Sequence, residues 1–458
     1  MDDKRTVGGS FRDPSGFLFY RDDVLYRQIN CEYQPHYEHL IKSGLYDKLV
    51  ANKMLIPHME TAIDSETAPS PYKVIRPDVI PFISYPYEWC FGQLKDAALL
   101  TLAIQKISIQ HGMSLKDASA YNIQFKNGVP IFIDTLSFEI YREGQPWPAY
   151  RQFCQHFLAP LALMALKDIR LNQWFKINID GVPLDLASKL LPFSSWFSFS
   201  LLSHIHLHAK SQRHFTGHEI NAGNHKVSRT AMLGVVDSLE SAIRGLNWRH
   251  DGTQWSGYYN NAHYSREAAD DKKNIVLRYL DKTHPKTVWD LGANDGLFSR
   301  MAGHYAELVV SFDSDPGVVE NNYRQTIERR ETNILPLCID LVNPSPAIGW
   351  ENMERCSLLE RGPADLVVAL ALVHHLAIGN NVPLNRVAGF FATLGASLII
   401  EFVPKSDVKV REMLRARDDI FQNYTSEGFE EAFKQYYRIV DTRQIEGSGR
   451  VIYLMERR

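Results

Sequence analysis

The stretch Lys286-Thr-Val-Trp-Asp-Leu-Gly-Ala-Asn-Asp-Gly-Leu-Phe-Ser299 sets a carboxylate, Asp290, at the end of an apolar run and follows it with the spaced glycines Gly292 and Gly296. Such a carboxylate can meet a cationic or hydroxylated ligand, and glycines there permit conformations or close approaches that a side chain forbids. Two more carboxylates occupy equivalent places: Asp313 closes Leu308-Val-Val-Ser-Phe312, and Asp340 closes the run from Ile334 to Ile339. A carboxylate at the second position can accept two hydrogen bonds from ribose hydroxyls. Further along, His374 and His375 end Ala364-Asp-Leu-Val-Val-Ala-Leu-Ala-Leu-Val-His-His-Leu376, and Glu401 lies near the end of Ala396-Ser-Leu-Ile-Ile-Glu-Phe402. A histidine in such a loop can take a proton near neutrality, and Glu401 is an alternative carboxylate for that work.

Holding these groups together requires a parallel sheet. Thr287 to Trp289 reads as a buried strand, while Leu297, Phe298 and Met301 begin a helical face after the glycine turn. In open α/β sheets ligands bind just outside the carboxyl ends of such strands. The runs ending at Asp313 and Asp340, and those over 364–376 and 396–402, supply the next strands. Tyr437-Arg-Ile-Val-Asp441 and Arg450-Val-Ile-Tyr-Leu-Met455, joined through Gly447-Ser-Gly449, predict a terminal hairpin. A dinucleotide fingerprint needs glycines at its first, third and sixth positions. Here those positions hold Gly292, Asn294 and Leu297, which weakens a diphosphate reading.

The pattern Asp-x-Gly-x-Asn-x-Gly, the ordered terminal carboxylates and the closing hairpin together resemble the class I S-adenosylmethionine-dependent methyltransferases over residues 268–458. The resemblance implies a seven-stranded Rossmann-like sheet with S-adenosyl-L-methionine as cofactor. Asp290 would face the methionine ammonium, Asp313 the ribose and Asp340 the adenine amino group, with Gly292, Ala293, Asn294, Gly296, Ser314, Leu341 and Ala369 completing the site. Tyr259 and Tyr264, in an aromatic and Asn-rich lead just before the first motif, are the candidate lid. His374, His375 and Glu401 are the candidate catalytic groups, and no metal ligand is expected. Each aspartate taken alone reads equally well as a helix cap or loop residue; their order around one glycine turn favours a ligand site. The loop after the fourth strand lacks the Asn/Asp-Pro-Pro-aromatic tetrapeptide of methyltransferases acting on adenine N6, cytosine N4 or glutamine N5, so amide and base acceptors are disfavoured. The whole layout is similar to rhizobial host-specific nodulation methyltransferase-like proteins, which implies O- or N-methylation of a small-molecule or glycan-like acceptor.

The first half predicts an α+β domain. Residues 92–113 form a long helix-period segment that stops at Gly112, and Asp117, Asn122, an Asn127-Gly128 hairpin and Asp134 follow. That spacing resembles the catalytic loop and metal-binding aspartate of protein-kinase-like and aminoglycoside-kinase-like folds in degenerate form. It departs from them in lacking the usual histidine, the Phe-Gly after the metal aspartate and a strand lysine, for which Arg27 is the substitute. The competing reading is a substrate domain in which Asp117 and Asn122 fix a loop. The expected division is 1–215 for this substrate-recognising domain, 216–267 for a helical linker and lid, and 268–458 for the methyltransferase domain. A phosphotransfer or nucleotide-sensing protein with a regulatory methyltransferase half is the alternative, and an RNA or protein methyltransferase a further one.

The 458 residues exceed a single typical core. A net charge of −3 with 22% charged residues supplies no global basic field, and without a basic tract nucleic acid is a weak second choice. Cys31, Cys90, Cys154, Cys338 and Cys356 are scattered without close pairs, which argues against a zinc or disulfide framework and makes the cytoplasm the default. No apolar stretch is long enough to span a membrane. Leu201-Leu-Ser-His-Ile-His-Leu-His208 would align three histidines only as a strand, and the aromatic run 190–202 is expected at a domain seam.

Overall fold

Strands Arg5–Thr6 (β1), Gly16–Arg21 (β2), Val24–Asn30 (β3), His58–Thr61 (β4) and Pro71–Pro77 (β5) pair antiparallel in the order β1-β2-β3-β5-β4. Asp22 and Asp23, both at positive φ, form the two-residue turn that sets Arg21 opposite Val24, because turns of that hand match the twist of a hairpin. The structure is a computed structural model that describes residues 5–62, 71–208, 227–248, 265–415 and 417–458. Phe91–Gln110 is one long helix, and Gly112 at φ +73° turns the chain out of it into the short strand Met113–Leu115 (β6). Ile123–Lys126 (β7) and Val129–Phe132 (β8) are joined through Asn127 and Gly128, both at positive φ, and Phe138–Ile140 (β9) returns to pair with β6.

A second sheet forms from Thr287–Leu291 (β10), Leu308–Asp313 (β11), Ile334–Cys338 (β12), Ala364–Ala369 (β13), Gly395–Phe402 (β14), Tyr437–Gln444 (β15) and Val451–Arg457 (β16). Its seven strands run in the order β12-β11-β10-β13-β14-β16-β15. The first five are parallel, and β16 is antiparallel to both neighbours. Their near-continuous apolar sequences follow from this, since helices cover a parallel sheet on its faces. The helix Arg266–Thr283 lays Ile275, Val276, Tyr279 and Leu280 against Val288, Val309, Leu366 and Ile399. Full burial of each large apolar side chain contributes roughly 1.5–3 kcal/mol. The strand order turns back at β10, which lies between β11 and β13, and in sheets of this kind a crevice opens at such a reversal.

The chain divides into two compact units, Met1–Arg249 with Ala347–Arg355, and His250–Pro346 with Cys356–Arg458. The excursion of 347–355 from between β12 and β13 into the first unit has no signal in the sequence. Within that unit Arg12 donates to both carboxylate oxygens of Glu354, and the Arg355 guanidinium lies 4.3 Å from the centre of the Tyr121 ring. The histidine run is helical, Leu202–Leu207 being a π-helical turn, so its side chains do not share the face a strand would give them. His206 bonds Ser188 and Ser195, and His204 bonds Tyr150 and Ser238. Among the described residues no group of histidine, cysteine, aspartate or glutamate is placed to hold a metal ion, and no helix is long and apolar enough to cross a membrane. In the aromatic run 190–202, Phe193, Phe197 and Phe199 are each more than three-quarters exposed.

Candidate functional site

The site begins with the turn after β10. Asp290 ends up almost fully buried in that strand, where Ser299 donates to its Oδ2 at 2.6 Å. The chain then crosses to β11, and the N–H groups of Gly292 and Ala293 both donate to the Phe312 carbonyl at 2.9 Å. Gly292 at φ +73°, Asn294 at +52° and Gly296 at +84° take the left-handed conformation that this tight return demands. At Gly296 a β-carbon would also meet the side-chain ends of Asn322 and Arg300, Nη1 of the latter at 2.6 Å, and both would have to shift to admit it. Gly292 has room, with Leu372 Cδ1 at 3.4 Å, so its requirement is conformational.

Asp313, at the carboxyl end of β11, accepts the Asn294 N–H on Oδ2 at 2.8 Å and the Asp315 N–H on Oδ1 at 2.9 Å. These bonds fix the carboxylate and tie the two loops together. Asp340, two residues beyond β12, accepts the Val342 N–H on Oδ1 at 2.9 Å. All three carboxylates border one cavity of ≈ 260 Å³, together with Lys272, Gly292, Ala293, Asn294, Ser314, Leu341 and His375. Its apolar walls come from Phe298, Ile339 and Leu370 to Leu372. Burial raises the Asp290 carboxyl to about 7, opposed by the Ser299 hydrogen bond, and raises Asp313 to about 6, opposed by its backbone donors. Carboxylates stripped of water to this degree are poised for a ligand that brings positive charge or hydroxyl donors.

The remaining expected residues fall elsewhere. Gly296 starts the helix Leu297–Gly303 and Ala369 lies fully buried at the end of β13; neither borders the cavity. Tyr259 and Tyr264 lie outside the described residues. The adjacent histidines have different surroundings. His375 borders the cavity, whereas His374 is 1% exposed, leaves Nδ1 without a hydrogen-bond partner and packs with its ring centre 4.2 Å from that of His375, the two planes tilted by 39°. Burial holds the His374 imidazole well below its usual range and lowers that of His375 too, so both are neutral at pH 7.

Glu401 is fully buried and does not border the cavity. Its Oε2 accepts from Lys272 Nζ at 2.7 Å and the Ala371 N–H at 2.9 Å, and Arg450 reaches Oε1 at 3.2 Å. Arg450 continues to Asp407 at 2.8 Å, which completes a chain of alternating charges. Glu401 thus anchors the helix Arg266–Thr283 and the loop after β13. Lys272, which borders the cavity, was invisible in sequence because nothing distinguishes it from Lys273 on the same charged helix.

In the first unit, Arg27 bonds Asp134 at 2.8 Å and Asp13 at 3.1 Å, and Asn122 bonds Ser137, which in turn donates to Asp134. Asp117 is raised by burial and then by the Asp134 charge. Asp117, Asn122 and Asp134, singled out by spacing, therefore gather in space, with the Arg27 guanidinium beside the carboxylate that a metal would need.

The strand order β12-β11-β10-β13-β14-β16-β15, its single reversed strand, and carboxylates ending β10 and β11 beside a glycine turn define the class I S-adenosylmethionine-dependent methyltransferase fold. Nodulation protein NoeA of Rhizobium meliloti (strain 1021) is 38% identical over 460 residues, spanning 98% of this chain and 96% of that one. The chain therefore belongs to the NoeA family. No protein-family model matches it. Among solved structures, the N-methyltransferase NodS of Bradyrhizobium japonicum WM9 in complex with S-adenosyl-L-homocysteine is 12% identical with TM-score 0.33, covering 45% of this chain and 99% of its own. Magnesium protoporphyrin IX methyltransferase of Synechocystis PCC 6803 is 16% identical with TM-score 0.32, covering 44% of this chain and 93% of its own.

Proposed function

We propose that the chain transfers the methyl group of S-adenosyl-L-methionine to an oxygen or nitrogen atom of a small-molecule or glycan-like acceptor. The observation that carries this reading is the single cavity bordered by Asp290, Asp313 and Asp340 at the carboxyl ends of neighbouring strands. Its chemistry fits the cofactor part by part. Asp290 matches the ammonium of the methionine end, Asp313 the ribose diol, and Asp340 with Leu341 the adenine side. When bound, the sulfonium supplies a methyl group already activated for displacement.

The chain's own work is then to orient and to exclude water. Asn294 and the backbone of Gly292 and Ala293 set the floor of the site, and Phe298 and Leu370 to Leu372 shield it. His375 borders the cavity and burial favours its neutral form, which supports assigning it the acceptor proton as the new bond forms. His374 supports it by packing ring against ring, and Glu401 holds the loop behind it through the Ala371 N–H. The first unit is assigned to acceptor recognition, and Tyr259 and Tyr264 remain the proposed lid.

The phosphotransfer alternative draws on the gathering of Asp117, Asn122 and Asp134. Against it stands Arg27, whose guanidinium already neutralises Asp134 and Asp13 where magnesium would have to bind. Calorimetric titration with S-adenosyl-L-homocysteine and, separately, magnesium-ATP decides between the readings. Micromolar binding of the first and none of the second is expected; the reverse would transfer the activity to the first unit.

A further inference from the structure

Among the described residues bordering the cavity, Lys272 is the single lysine or arginine, set against the three carboxylates Asp290, Asp313 and Asp340. Its side chain is 7% exposed and its ammonium lies 5.2 Å from the centre of the Phe298 ring. Burying a lysine this deeply is costly unless its charge is matched, and Glu401 at 2.7 Å supplies that match. Glu401 also has Arg450, which is shared with Asp407, so Lys272 is the cavity end of a chain in which two cations and two carboxylates alternate. Lys272 and Asp290 also sense one another, each shifting the other's ionisation toward its charged form.

We propose that Lys272 is the anchor for the α-carboxylate of the cofactor's methionine end, making the cavity selective for ligands that carry a complete amino-acid tail. The inference rests on the cofactor reading above. An amino-acid end brings an ammonium and a carboxylate separated by one carbon. Placed between Asp290 and Lys272, the two form an alternating arrangement in which each ligand charge meets its opposite. Without a dedicated cation, a carboxylate entering a cavity with three acidic groups would be repelled, and water-excluded walls would strengthen the repulsion. Lys272 reaches the cavity because the helix Arg266–Thr283 packs Ile275, Val276 and Tyr279 into the sheet and turns position 272 toward the end of β10.

The decisive probe is S-adenosyl-3-methylthiopropylamine, which keeps the adenosine, the sulfonium and the ammonium and lacks only the carboxylate. It carries one more net positive charge than S-adenosylmethionine. A site reading charge with its aspartates alone would bind this analogue more tightly. With Lys272 as the anchor, the full-length chain binds S-adenosylmethionine at least about tenfold more tightly than the analogue, as expected for a charge-assisted hydrogen bond in a buried site. In Lys272→Met the preference falls to about threefold or less, and Lys272→Arg restores most of it. A purely structural lysine would weaken both ligands by the same factor and leave their ratio unchanged, which would overturn the proposal. Equal or tighter binding of the analogue by the unmodified chain would overturn it without any variant, even should Lys272→Met fail to fold. If the unmodified chain binds neither ligand, the cofactor reading itself fails, an outcome distinct from binding both alike.

Discussion

Lowering the pH should loosen the cofactor's grip, and the size of the effect follows from Asp290. Its carboxyl is held at about 7, chiefly by desolvation, so in the empty site it is largely protonated below that pH. The unfolded chain protonates the same group near 3.8. A carboxyl raised in the folded state destabilises the fold as pH climbs from the unfolded value toward the folded one. By the usual conversion of about 1.4 kcal/mol per pH unit, the empty site carries roughly 4 kcal/mol of this cost above pH 7. A ligand ammonium beside Asp290 relieves that cost by favouring the ionised form, so binding near neutrality releases a proton. The affinity for S-adenosyl-L-homocysteine should therefore fall as pH drops through 7, roughly 15-fold between about pH 7 and pH 5.5 and approaching tenfold per further unit, with Asp313 steepening the loss below about 6. Calorimetry in two buffers of different ionisation enthalpy measures both the affinity and the proton count. Asp290→Asn should flatten the dependence between pH 6 and 7 and weaken binding at about pH 8 by tenfold or more. Affinity independent of pH over this range, or proton uptake on binding, would refute the assignment of Asp290 to the ammonium.

Three other perturbations test separate parts of the structure. Asp313→Ala should weaken binding of S-adenosyl-L-homocysteine at least tenfold, since the ribose loses a charged acceptor and the Asn294 and Asp315 N–H groups lose theirs; unchanged affinity in titration would displace Asp313 from the site. Gly296→Ala should destabilise the second unit by about 1–3 kcal/mol in urea unfolding, because φ +84° and the collision with Asn322 act together, and an unchanged midpoint would contradict the geometry of the turn. Glu401→Ala strands Lys272 and Arg450 in the interior and should cost about 3–5 kcal/mol in the same assay, whereas a stable variant defective only in methyl transfer would return Glu401 to the acceptor side.

What sequence could reveal here is local, and what it missed depends on distant partners. The β10 turn was legible because a strand, a terminal carboxylate and two glycines lie within a few residues, and left-handed backbone has few other solutions. The strand ends at Asp313 and Asp340 were legible for the same reason. Glu401 shows the limit. From sequence it is a carboxylate near a strand end, equivalent to Asp290; in the fold, Lys272 arrives from 129 positions away and Arg450 from 49 and remove it from the cavity side. The same packing gives Lys272 its place beside the carboxylates. His374 and His375, adjacent in the helical turns that follow β13, divide in like manner, since only the elements packed around each ring decide which of them borders the hollow. The pair therefore provides a test that needs no knowledge of the acceptor's identity. Binding of S-adenosyl-L-homocysteine should survive His375→Asn with less than about threefold change if the ring serves the acceptor proton rather than the cofactor. His374→Ala, by contrast, empties a fully enclosed space and should lower the unfolding midpoint, at a cost of about 1–3 kcal/mol. If His375→Asn instead abolishes cofactor binding, His375 belongs to the cofactor's wall and the proton acceptor must be sought elsewhere.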